Sequence, residues 1–351
     1  MTSDAKTGRK LRNPLIAAVC CAALLILAAS LYLFFGRAET VKNERSPKIG
    51  VFIYRGDDTF ISNMMDSLKG IFSDFEREKG DHFYLSVQDA TNSQTTQNGQ
   101  IERLLSLGYD VLCVNLVDRT SAGFVVDRAM EANVPVVFFN REPVEADMRK
   151  WDKIYYIGTD AVMNGLLEGQ IVVDAYKADP AAFDKNGDGV VQYIMIEGEF
   201  RHQDAILRTE GSVQTILDAG VQLEKLDGGV ANWERSQAAA LARDYFEQYG
   251  EQIELIICNN DDMALGVLDY IDANGIGFTN VVGIDGTPAG LKAVADGKML
   301  GTVVIDYRSQ AQFIFDVTYE LLLGRNPATV VSMADDHIVR APCYIVTRGD
   351  G

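Results

Sequence analysis

"KIGVFIYRGDDTF", residues 48–60, sets the architecture. A short run rich in Val and Ile breaks into a polar turn carrying Asp57 and Asp58, and Phe60 follows at the start of the next segment. Too short for a buried helix and rich in β-branched residues, the run reads as a strand covered on both faces. The unit then recurs along the chain. Apolar runs "FYLSVQD", "DVLCVNLV", "VPVVFFN", "YYIGT", "VQYIMIEG", "ELIICNN", "NVVGID" and "GTVVID" alternate with segments such as "QIERLLSLG", "AGFVVDRAMEAN" and "MALGVLDYIDANG". In these, apolar residues fall three or four apart and the segment ends at Gly or Asn, a helix stop. Strands alternating with helices predict parallel sheets with helices on both faces, and about nine such units exceed one sheet of ordinary size. The fold class is therefore α/β in two domains.

Ligands in such sheets bind beyond the carboxyl ends of the strands, so that is where polar side chains should gather. They do. Asp58 and Phe60 follow the first run, Asn115 the third and Asn140 the fourth; Asn259, Asn260 and Asp261 follow "ELIIC", and Asp285 follows "NVVGI". "YIMIEGE" leads on to His202, Asp204 and Arg208. Any one of these Asp or Asn residues has a structural use as a helix N-cap or in a turn, but the set converges. Carboxylates and carboxamides match hydroxyl groups, and the rings of Phe60 and Trp233 match C–H faces, so the pattern suits a neutral polyhydroxylated ligand such as a sugar. Neither a Walker loop nor a GxGxxG stands at a strand-to-helix turn to support nucleotide binding.

The chain of 351 residues carries 32 basic and 50 acidic side chains. Seven basic and three acidic residues precede Pro47, which leaves a net charge of −22 on the rest. Such a body is repelled by nucleic acid. Near the start, Arg9, Lys10 and Arg12 precede "LIAAVCCAALLILAASLYLFF", Leu15 to Phe35, an uncharged run that as a helix spans roughly 32 Å. It reads either as an uncleaved anchor or as a signal peptide with "AAS" as a cleavage site; both place the remainder outside the cytoplasm. Residues 1–46 are thus expected to be a targeting segment, an apolar helix plus a polar linker. Beyond it stand only Cys113, Cys258 and Cys343, an odd number without CxxC spacing, which argues against a disulfide framework or a zinc site.

From Lys48 to Arg348 the sequence closely resembles the bacterial galactose/glucose-binding proteins of sugar ABC transporters, type I periplasmic binding proteins. "IGVFIYRGDDTF", "VNLVDRTSAG", "NVPVVFFNREP", "YYIGTD", "DKNGDGVVQ", "HQDAILRT", "NNDDMALG", "GIDGTP" and "AGLKAV" carry the resemblance, in order and in spacing. It implies two Rossmann-like lobes joined by a three-stranded hinge and closing on a sugar. The chain would cross near Val134–Val136, Ile305–Asp306 and Arg340–Tyr344, giving an N-terminal lobe of 47–134 with 306–340 and a C-terminal lobe of 135–305 with 341–351. Asp58, Asn115, His202, Asp204, Arg208, Asn260 and Asp285 would contact the sugar, with Phe60 and Trp233 sandwiching the ring. One position departs from the pattern: Ile305 in "GTVVID" stands where the family has Asn, so one hydrogen bond to a hydroxyl is expected to be lost.

"DKNGDGVVQYIM", residues 184–195, looks like an EF-hand loop without its closing Glu, since the twelfth position is Met195 in an apolar strand. Alone it reads either as a solvated acidic turn or as a cation loop. Asp184, Asn186 and Asp188 offer side-chain oxygens, Val190 its carbonyl and Gln192 an amide oxygen. The resemblance implies a structural Ca²⁺, with Glu254 in "IELIICNN" as the remaining bidentate ligand. All are hard oxygen donors.

The resulting expectation is a monomeric, non-enzymatic receptor that captures galactose or glucose and delivers it to a membrane ABC permease. An alternative is an anchored sensor that presents the bound form to a chemoreceptor or kinase. A glycoside hydrolase would need two carboxylates flanking the scissile bond, and no spacing isolates such a pair. Sugar-responsive repressors need a DNA-binding helix pair where this chain has its apolar run.

Overall fold

The computed structural model describes residues 45–335 and 337–349; the apolar run 15–35, and with it the expected N-terminal helix, lies outside them. Among the described residues no helix is long and apolar enough to cross a membrane. The compact body begins at Pro47. Among the described residues twelve strands form two six-stranded sheets. The first holds β1 (Lys48–Ile53), β2 (Tyr84–Asp89), β3 (Val111–Val114), β4 (Val136–Phe139), β5 (Ile154–Gly158) and β11 (Ile338–Arg340), in the order β11-β5-β4-β3-β1-β2. The second holds β6 (Val191–Glu197), β7 (Leu223–Val230), β8 (Leu255–Cys258), β9 (Val281–Asp285), β10 (Gly301–Ile305) and β12 (Cys343–Thr347), in the order β12-β10-β9-β8-β6-β7. All neighbours run parallel except β10 and β12.

The central strands "VLCV", "VVFF" and "LIIC" are buried throughout because helices cover both faces. On one face of the first sheet Phe52, Leu112, Val114, Val136 and Phe138 pack with Ile101, Leu104, Val125 and Ala129. On one face of the second, Ile194, Ile196, Ile256 and Val281 pack with Ala238, Ala242, Leu265 and Leu268. Truncating a ring such as Phe138, fully buried in this layer, would cost about 3–5 kcal/mol. Asp58, Asp160 and Asn260 cap N-termini through their side chains, and Gly80 and Asn133 end helices in the left-handed conformation.

Three crossings join the sheets: after Gly158, between Ile305 and the helix Tyr307–Leu322, and between Arg340 and Cys343. The first lies later than the expected Val134–Val136. β4 pairs in register with β3 and β5, so "VPVVFFN" and "YYIGT" complete the first sheet and residues 135–158 belong to that lobe rather than to the C-terminal one. Both runs are apolar on both faces, which makes their lobe of origin unreadable from periodicity.

Candidate functional site

The strand ends of both sheets face one cavity, lined by Tyr54, Asp58, Phe60, Ile61, Asn140, Arg141, His202, Asp204, Arg208, Trp233, Asn260 and Asp285. Eight of the nine residues expected to meet a sugar are in this wall. Three of them also cap helices. Asp58 caps the helix Thr59–Lys79 by accepting from Ile61 N at 2.9 Å, and its other oxygen accepts from the Tyr54 hydroxyl at 2.5 Å. His202 caps Gln203–Asp218, its Nδ1 accepting from Asp204 N at 3.1 Å. Asn260 caps Asp261–Ala273, Oδ1 accepting from Met263 N at 2.9 Å, so its NH₂ is the group left to meet a ligand. Three helix N-termini thus open on the cavity, each supplying orphan amides and a positive dipole end.

The His202 ring stands edge-on to Trp233 with centroids 5.2 Å apart. Burial and the nearby Arg141, Arg208 and Arg119 hold it well below the ordinary histidine range, so it is neutral; with Nδ1 accepting, Nε2 carries the proton. Trp233 lies against the end of β6, where a Cβ on Gly198 would come within 2.1 Å of the indole. Only glycine permits that approach. Phe60 comes from the opposite lobe and is backed edge-on by Tyr307, centroids 6.2 Å apart.

Arg208 is almost fully buried, donates from Nη1 to Asn259 O at 2.8 Å and lies 3.6 Å from Asp285 Oδ1 and 4.0 Å from Asp204 Oδ2. Burial raises both carboxyls, Asp285 well above the usual range, and Arg208 only partly offsets it. Asp285 also holds a positive φ of 124°, rare for a side chain with a Cβ and the sort of strain that collects at functional sites.

Asn115 is the exception. Fully buried, it stands behind the wall: Oδ1 accepts from Tyr54 N at 3.2 Å, and Nδ2 donates to Asn140 Oδ1 at 3.0 Å. It therefore orients Asn140, which takes the place in the wall expected of Asn115. Ile305 is likewise outside the wall, 2% exposed in the same apolar cluster as Val303 and Tyr307. The sequence reading had not selected Tyr54, Asn140 and Arg141 as site residues. Asn140 was visible as a strand-end polar residue, whereas Tyr54 and Arg141 carry no such signal. The Arg141 guanidinium lies 3.8 Å from the Tyr54 ring centroid and donates to Val117 O at 2.6 Å.

Three contacts tie the lobes across the cavity mouth: Arg55 to Glu234 at 2.8 Å, Thr59 to Asp262 at 2.5 Å, and Arg141 to Glu199 at 2.8 Å.

On the same lobe as Trp233, the loop after the helix Ala161–Ala178 brings the expected cation donors to one place. Asp184 accepts from Asp188 N and Gly189 N, both at 3.0 Å, with Gly187 and Gly189 at positive φ. Glu254, buried at the start of β8, accepts from Lys185 N at 2.5 Å and Gln192 N at 3.1 Å. The amides of Asn186 and Gln192 donate to Asp188 Oδ2 at 2.8 and 3.0 Å. Among the described residues no group of three or more His, Cys, Asp or Glu is gathered as a metal cluster. The donors are hard oxygens, the type that Ca²⁺ takes.

Residues 49–326 match the periplasmic binding protein domain. Over 301 residues the chain is 34% identical to the D-galactose/methyl-galactoside binding periplasmic protein of Haemophilus influenzae, spanning 84% of this chain and 88% of that protein. It is 30% identical over 244 residues to a putative rhizopine-binding protein of Rhizobium meliloti, 68% of this chain and 74% of the relative. Among solved structures, an ABC transporter solute binding protein of Bacillus halodurans C-125 with bound myo-inositol superposes with a TM-score of 0.71 at 28% identity, covering 88% of this chain and 96% of that one. With two parallel-sheet lobes, three crossings and a cavity between strand ends, the chain belongs to the periplasmic binding protein family.

Proposed function

We propose that the protein is an extracytoplasmic receptor that captures D-galactose or D-glucose between its lobes and hands it to an ABC permease. The observation that carries this is the composition of the cavity wall. Asp58, Asp204, Arg208, Asn260 and Asp285 supply acceptors and paired donors for hydroxyls, while Phe60 and Trp233 enter from opposite lobes as flat faces for the C–H side of a ring. Arg208 sits among carboxyls and Arg141 pairs with Glu199, so little cationic charge is left over to attract an anion. The D-galactose relative supports the same ligand class. The cavity measures about 40 Å³, the space of a few waters, so a pyranose is admitted as the lobes part and is enclosed as they close.

Ca²⁺ belongs to the proposal as a structural ion held by Asp184, Asn186, Asp188, Val190, Gln192 and Glu254. Bound there, it would tie the loop to the start of β8. A tryptophan fluorescence titration tests the sugar site, because Trp233 is one of only two tryptophans. D-galactose or D-glucose should change the emission saturably in the wild type, with the change lost in Trp233→Phe. No saturable change with either sugar at millimolar concentration, about the weakest binding worth the name, would count against it.

A further inference from the structure

Behind Arg208 lies a buried carboxyl that the sugar site does not use. Glu168 sits on the helix Ala161–Ala178, which packs against Gln203–Asp218 at backbone distance: a Cβ on Gly165 would stand 2.6 Å from Arg208 O, and one on Gly169 2.6 Å from Ser212 O. This approach seats Glu168 beside Arg208 and Ser212, with no exposure to solvent. The Ser212 hydroxyl donates to Thr209 O at 3.2 Å and also acts on Glu168, stabilising its charged form in part. Both Glu168 oxygens are without a hydrogen-bond partner, as are Asn164 Oδ1, one turn earlier on the same helix, and Arg208 Nε. The interface thus holds three unserved acceptors and one unserved donor. A proton on Glu168 converts one acceptor into a donor and evens the count at two of each.

We propose that Glu168 is a positioning residue for Arg208, a carboxylic acid kept protonated so that the guanidinium stays directed at Asn259 O, Asp285 and the sugar. An ionised Glu168 would instead compete for that charge and draw Arg208 back into the helix interface. Burial is the main influence, raising Glu168 well above the usual carboxylate range; Arg208 and then the Ser212 hydroxyl oppose it, and Asp261 adds to it. The groups that act on it are Arg208 and Ser212 on Gln203–Asp218, with Cys258 at the end of β8 and Asp261 just after it.

The inference rests on the sugar-binding reading, and the test separates the two. D-galactose affinity is measured for the wild type and Glu168→Gln from about pH 5 up to the highest pH at which both proteins stay folded. The two should agree at the acid end, and the wild type should weaken by about tenfold relative to the variant at the alkaline end, one pKa unit's worth of coupling. Titration of Asp261 and Asp285 is common to both proteins and cancels in the ratio. Parallel curves overturn the proposal. If neither protein binds the sugar at any pH, the sugar reading fails and thermal unfolding decides the proton. The wild type should lose stability relative to the variant as pH climbs above the ordinary glutamate range, and parallel melts overturn it. Should Glu168→Gln not fold, Glu168→Met, similar in size and without a charge, takes its place in the same comparison.

Discussion

Arg55 donates from Nη1 to Glu234 Oε1 at 2.8 Å, joining the turn after β1 on one lobe to the residue after Trp233 on the other. The arginine is nearly buried and the glutamate partly exposed, so the pair resembles a surface ion pair more than a core one. It links the lobes next to the cavity-wall residues Tyr54 and Trp233. Glu234→Gln should weaken sugar binding by about two- to fivefold through faster release, since such a pair is worth up to about 1 kcal/mol. Stopped-flow dissociation checks this, and an unchanged off-rate would remove the pair from the closure.

Trp233 and Phe60 face the cavity from opposite lobes, and each is also packed against protein. Trp233→Ala should reduce affinity by about ten- to a hundredfold, given what a ring contributes through area and aromatic contact. Because the indole also fills the space over Gly198, the variant's melting temperature is measured alongside. Loss of affinity with the fold retained supports the ring-face assignment; full affinity in the variant contradicts it.

Glu254 holds the backbone of Lys185 and Gln192 from a buried position, so Glu254→Ala leaves two amides without an acceptor and should destabilise by about 1–3 kcal/mol. Calcium gives a separate readout. Adding Ca²⁺ should raise the melting temperature of the wild type after chelation, and should not do so in the variant. A wild type indifferent to Ca²⁺ would make the loop a solvated turn.

Asp261 is wholly buried at the start of the helix Asp261–Ala273, and burial pushes it up to about 7 although Thr302 and Thr287 donate to it. Its folded value lies above its unfolded one, so its contribution to stability is complete below the unfolded range of about 4 and disappears as pH rises toward 7. Wild-type stability should fall across that window relative to Asp261→Asn, as read from denaturant midpoints at several pH values. Parallel profiles would show an Asp261 ionised throughout.

Most of this was legible in the residues because the two kinds of signal reinforce each other. "VPVVFF" and "ELIIC" can only be covered strands, and the Asp and Asn residues that follow them cap helices whose N-termini frame a cavity. What escaped was what periodicity does not encode. β7, "LEKLDGGV", is a half-exposed edge strand without an apolar run, and β11 has only three residues. The lobe of a fully buried strand depends on its neighbours, which is why residues 135–158 were assigned across the hinge. Asn115 stands behind the wall for a related reason: a strand-end carboxamide can line a cavity or support a residue that does, and here Asn115 donates to Asn140.

The central claim is a neutral sugar held between the lobes by this wall. Isothermal titration of the full body with D-galactose, D-glucose, ribose and myo-inositol tests it most directly. The account predicts saturable heat at one site per chain for galactose or glucose, and its loss in Asp285→Ala. No heat with any of the four at millimolar concentration, or undiminished binding in the variant, would contradict it.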